Sequence, residues 1–146
     1  DRIDIAQAAA QQLRETGINC TVEIPAQMDW GGQMACLIGW GSPFDADDHT
    51  YKVFGTDKGA NYSSYSNEKV DEYLSLARQS DDPEVRKEYY GKFQEELAED
   101  PAYAFICYID ANYVADSGIQ GISKDTVLGH HGVGIFWNIQ DWTMTE

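Results

Sequence analysis

Across residues 3–16, Ile5, Ala6, Ala9 and Leu13 recur at helical spacing, and Gly17 follows as a left-handed stop. The pattern predicts a helix packed by one face. Residues 18–25 then alternate, with Ile18, Cys20, Val22 and Ile24 on one side and Asn19, Thr21 and Glu23 on the other, as in a half-buried strand. Residues 34–40 are almost continuously apolar, which suits a central strand covered on both faces. Further on, Asn67 is a good N-cap with Glu68 in the first turn, and Val70, Tyr73, Leu74 and Ala77 form one stripe. Asp82-Pro83 starts another helix, lined by Val85, Tyr89, Phe93 and Leu97. These two helices are expected to form a hairpin against a sheet. Residues 103–109, entered through Pro101, read as a strand to which residues 112–115 pair back. The tail alternates once more over residues 133–139, with Val133, Ile135, Trp137 and Ile139 on its apolar side.

Strands alternating with helices predict an α/β fold, a mixed β-sheet flanked by helices. Loops concentrate at residues 41–45, 56–64 and 118–132, where Gly, Ser, Asp and Asn cluster, and these are the places to expect ligand contacts. At 146 residues the chain is expected to fold as a single domain over 1–146, burying roughly two thirds of its unfolded surface.

Charge narrows the partners. Twenty-five acids against 10 bases give a net charge of -15, which argues against binding to nucleic acid phosphates or to an anionic membrane surface, since both need a basic patch. Neutral or cationic ligands are favoured. Cys20, Cys36 and Cys107 are too dispersed for a disulfide scaffold, contain no Cys-x-x-Cys pair, and read as small buried hydrophobes. No run approaches the roughly 20 apolar residues of a membrane span. The chain carries no catalytic elbow, zinc-protease helix or phosphate loop, so an enzyme is not the expectation, and no cofactor is expected.

The richest stretch is CLIGWGSPFDADDHTYKVF, residues 36–54. An apolar run leads into Gly39-Trp40-Gly41 and then an acidic turn, placing an aromatic plate and carboxylates at the mouth of a strand. Trp40 can cover an apolar group or stack on a flat one, flanking glycines let another group approach closely, and Asp45 or Asp47 can pair with an ammonium group. Each has a structural counterpart: Trp40 as a plug at a strand end, and the two acids as turn and helix-cap residues for a helix starting near Asp48. Tyr62 and Tyr65 offer hydroxyls and flat faces in a loop, or cap the helix that follows. As metal ligands, Asp45, Asp47, Asp48 and His49 fail the calcium-loop pattern, with Thr50 and Thr56 where Gly and Glu would stand. His130-His131 is a second metal-like pair that keeps a nickel role open.

GWGSPFDAD resembles the Gly-Trp and Asp-Pro-Asp turn of the extracellular solute-binding proteins, family 5, which deliver peptides, nickel and some other solutes to ABC importers. NYSSYSNEKVDEYLSLARQSDDPEVRKEYYGKFQEELAEDPAYAFICY and the opening DIAQAAAQQLRETGINCTVE are similar to the same family's helices and strands. The resemblance covers nearly the whole chain but only the C-terminal part of a family member. It implies one lobe of a type II periplasmic-binding-protein fold, with Trp40, Gly41, Asp45, Asp47, Tyr62 and Tyr65 at the ligand. It further implies an oligopeptide or dipeptide as ligand, with a metal carrier or a stand-alone interaction module as alternatives. A permease and a missing N-terminal lobe are the implied partners, outside the cytoplasm or lipid-anchored at the cell surface. The chain departs from the family between Trp30 and Met34, where Gly31-Gly32-Gln33 stands in place of a helix and turn. This marks a possible shortened junction at 31–33.

Overall fold

The computed structural model describes residues 2–29, 34–41, 45–108, 112–123 and 134–145. Contacts divide the chain into two compact units, Asp1–Gly39 and Trp40–Glu146. The Gly31-Gly32-Gln33 junction and His130-His131 lie outside the described residues.

In the first unit α1 spans Arg2–Glu15, with Asp4 in its first turn and Arg14 in its last, each complementing the helix dipole. Gly17 ends it at φ 90°, where a side chain would clash with its own backbone. The Gly17 amide donates to Arg14 O at 3.0 Å and the Ile18 amide to Leu13 O at 2.9 Å, the paired bonds of a Schellman stop. The Arg14 guanidinium then donates twice to Cys20 O, at 3.2 and 2.9 Å, pinning the chain that leaves the helix.

The second unit is built on helices. α2 spans Asp47–Phe54, α3 Glu68–Arg78 and α4 Pro83–Glu99. Asn67 caps α3 by accepting from the Lys69 and Val70 amides, and its amide nitrogen donates to Glu96 and Asp100 of the α4 end, so one side chain serves both helices. Asp82 caps α4 by accepting from the Glu84 amide at 2.9 Å, with Pro83 in the first position. Between the helices lies the core: Val70, Leu74 and Ala77 against Tyr90, Phe93 and Leu97, flanked by Tyr51, Phe54, Tyr65, Tyr73, Tyr89 and Ala102. Tyr90 rather than Val85 or Tyr89 is the buried residue of the first half of α4. At the rim, Lys69 and Glu96 meet at 2.9 Å, which lowers the Glu96 carboxyl and raises the Lys69 ammonium from their ordinary pKa values.

The α/β expectation holds in part. Among the described residues the sheet is one antiparallel pair, β1 (Ile119–Gln120) with β2 (Thr143–Met144), in the register Ile119↔Met144 and Gln120↔Thr143, rather than a mixed sheet. The segments 18–25, 34–40, 103–108 and 112–115 carry no ladder. Phe105 and Val114 stand 66% and 100% exposed, and Cys36 and Cys107 are exposed rather than buried. Strand-forming sequence needs neighbouring strands to bond to, and these segments meet none among the described residues. The tail corrects the reading further. Residues read as alternating form a 3₁₀ helix over Gly134–Asp141, broken at Asn138, while Val133 lies outside the described residues. Asn138 explains the difference: its amide donates to Gly121 O at 2.8 Å and its oxygen accepts from the Trp142 indole at 3.1 Å, so local side-chain bonds replace a ladder.

Leu74 is fully buried in the centre of the hairpin. Leu74→Ala should lower unfolding stability by about 2–5 kcal/mol, and the exposed Ser75→Ala by less than about 0.5 kcal/mol. Urea unfolding followed by circular dichroism at 222 nm measures both.

Candidate functional site

The second unit opens with Trp40, whose side chain meets two partners. The Tyr62 ring lies nearly parallel to it, with centroids 6.1 Å apart and planes 10° apart. The His49 ring meets it edge-on at 5.6 Å and 71°. Both are favourable aromatic geometries, and Trp40 and Tyr62 remain 37% and 41% exposed. They form an aromatic wall that is partly packed and partly exposed. His49 sits in the first turn of α2, and its Nδ1 lies 3.4 Å from Asp48 Oδ2. Tyr62 comes from the loop between α2 and α3, which Asn61 organises. The Asn61 amide donates to Gly55 O and Tyr65 O at 2.9 and 2.7 Å, and its oxygen accepts from the Tyr65 amide at 3.1 Å.

Of the six residues expected at a ligand, the structure brings Trp40 and Tyr62 together. Gly41 follows Trp40 and is half-buried. Tyr65 instead packs against the α3–α4 core, and burial pushes its hydroxyl up in pKa, helped by the Asp100 charge. The close-approach role read for the glycines takes a different form at Gly39, in the first unit. A Cβ there would stand 2.8 Å from the Arg2 guanidinium, so this glycine admits a side chain of its own chain.

The two acids are each matched to an arginine. Asp45 receives both bonds of Arg86 Nη2, at 2.7 and 2.9 Å, and its Oδ1 accepts from the Asp47 amide at 2.7 Å. That amide, followed by the Arg86 charge, holds the Asp45 carboxyl below its ordinary pKa. Asp47 Oδ1 lies 3.3 Å from Arg78 Nε and 3.4 Å from the Tyr90 hydroxyl. Burial, then the Asp47 charge, raises the Tyr90 hydroxyl above its ordinary pKa. Arg78 also stacks over Tyr51, with Cζ 3.9 Å from the ring centroid. Sequence reasoning found the acids and missed both arginines, which lie 41 and 31 residues further along the chain with no periodicity linking them. His49 was weighed as a metal ligand and not as an aromatic partner. Among the described residues no group of three His, Cys, Asp or Glu side chains is arranged to hold a metal ion.

Comparison with known proteins agrees with this architecture along most of the chain. Against Protein XP55 of Streptomyces lividans the chain is 33% identical over 129 residues, 84% of this chain and 24% of that protein. Against the crystal structure of NikZ from Campylobacter jejuni in complex with Ni(L-His), it is 35% identical with a TM-score of 0.76, covering 97% of this chain and 30% of that one. The chain therefore spans about a quarter of XP55 and under a third of NikZ. No family model matches it.

The depression at Asp45 is testable. A carboxyl with a depressed folded pKa stabilises the fold above its unfolded value of about 4 and loses that contribution as pH falls through the folded value. By carboxyl carbon NMR, Asp45 should titrate at lower pH than an unperturbed aspartate. Arg86→Met should recover part of the depression and not all of it, because the Asp47 amide remains. Full recovery would overturn the role of the amide.

Proposed function

We propose that the chain is part of the ligand-binding lobe of an extracytoplasmic solute-binding protein that serves an ABC importer, with Trp40, Gly41 and Tyr62 facing the solute. The observation that carries this reading is the half-open aromatic wall of Trp40, Tyr62 and His49, in a chain 35% identical to NikZ and superposing at a TM-score of 0.76. A flat or apolar solute group laid on the open side gains stacking contact and leaves water. In this scheme a second lobe from the remainder of a longer polypeptide closes over the solute, and the closed form docks on a permease. The exposed apolar segments 103–108 and 112–115 would pair with strands of that remainder. The wall performs binding, and no reaction is assigned to it.

Two solute classes fit. A short peptide would lay an apolar side chain on Trp40, and its ammonium group would have to compete with Arg86 for Asp45 or with Arg78 for Asp47. A nickel chelate of an amino acid is the second reading, favoured by the Ni(L-His) bound to NikZ and by the imidazole of His49 beside Trp40. In that case the amino acid itself supplies metal ligands, and the protein need not assemble a full set.

The chain can be titrated with nickel premixed with L-histidine and, separately, with trialanine, while following amide and indole NMR signals. The solute that belongs to the site should shift Trp40, His49 and Tyr62, and Trp40→Ala should weaken its binding about tenfold or more. Shifts with nickel–histidine alone select the chelate, and shifts with trialanine alone select the peptide. If neither solute moves these signals, the stand-alone interaction module is the better reading.

A further inference from the structure

We propose that Arg86 and Arg78 are positioning residues that clamp the acidic turn to the α3–α4 corner and thereby hold the Trp40 ring in place; its consequence for solute binding rests on the function proposed above. α2 has eight residues, too few to persist as a helix on its own. It carries His49, the edge-on partner of Trp40, and the chain reaches it from Trp40 through the turn at Asp45.

Two arginines grip that turn from the hairpin. Arg86, in the first turn of α4, is three-quarters buried, and its Nη2 alone donates to both carboxylate oxygens of Asp45, at 2.7 and 2.9 Å. Its other terminal nitrogen donates to Ala77 O at 3.4 Å, at the end of α3, and its guanidinium lies 5.4 Å from the Tyr90 ring centroid. Arg78, the last residue of α3, meets Asp47 at 3.3 Å and covers the Tyr51 ring of α2 at 3.9 Å. The grip therefore combines charge, hydrogen-bond direction and aromatic packing from two helices onto both sides of the start of α2. A planar guanidinium with two terminal nitrogens spans Asp45 and Ala77 O at once beside the Tyr90 ring, whereas a lysine ammonium supplies the charge without that span.

The experiment compares Arg86→Lys, Arg86→Met and a surface control, Lys92→Met, in this chain, reading the Trp40 indole N–H signal identified with Trp40→Phe. Both Arg86 variants should move that signal and increase acrylamide quenching of Trp40, while Lys92→Met leaves both unchanged. If an Arg86 variant does not fold, raising salt from 50 mM to 1 M on the unaltered chain gives the same readout, because the Asp45 end of the pair is exposed to screening. An unchanged Trp40 signal in folded Arg86→Lys and Arg86→Met, or across the salt series, overturns the clamp. Binding is read separately with nickel–histidine and trialanine. A moved Trp40 signal with about tenfold weaker binding supports the clamp and its role at the solute. A moved signal in a chain that binds neither probe supports the clamp and counts against the solute-binding reading alone.

Discussion

The packing of α3 on α4 is the constraint on which the rest of the second unit depends. Its apolar stripes close on one another through Leu74, Val70 and Ala77 against Phe93, Leu97 and Tyr90, and both helices are capped by side chains of their own. That makes the hairpin a self-sufficient platform, since each helix supplies the other's buried face. α2 has no such independence. It is held by Val53, which is fully buried, by Phe54 against Phe93 at 5.4 Å, and by the ion pairs at its start. The loop that follows is tied to α3 where the Thr56 amide donates to Asp71 at 2.8 Å. Everything that shapes the aromatic wall is thus attached, directly or through one loop, to the hairpin.

The helices were legible in the sequence because the signals that make them are local. Gly17, Asn67 and Asp82-Pro83 act within three or four residues of where they stand, and the structure places a helix end at each. Strands are different. The alternation at residues 18–25 and the apolar run at 34–40 state a preference, but a ladder is completed only by a partner strand. Among the described residues that partner exists for Ile119–Gln120 and Thr143–Met144 alone. In the tail, alternation was outweighed by one asparagine whose two hydrogen bonds suit a tighter turn.

At the site the same division holds. Trp40 between glycines and a tyrosine-rich loop could be picked out by residue type, and Trp40 and Tyr62 do meet. What could not be read was which acids would remain unpaired. Asp45 and Asp47 read as able to pair with an ammonium group or to serve the turn; their arginine partners arrive from the far corner of the hairpin, a contact that only the packing of α3 on α4 creates. Tyr65 is placed differently from Tyr62 for a related reason. Two residues separate it from Tyr62, yet Asn61 bonds the backbone at Tyr65, whose ring packs against the core.

This pairing changes what the net charge says about the ligand. With 25 acids and 10 bases, a random patch of surface is acidic, and a cationic solute is the natural inference from composition. Yet two of those few bases reach the start of α2, where they pair with Asp45 and Asp47. The surface a solute would meet there is aromatic and locally balanced in charge. Long-range attraction of a cation by the whole chain and recognition at the wall are then separate effects: the first depends on acids spread over the surface and fades with salt, the second on ring geometry that salt reaches only through the arginine pairs. Under the function proposed above, selectivity at this wall is a matter of shape and flatness, and charge acts on it through position.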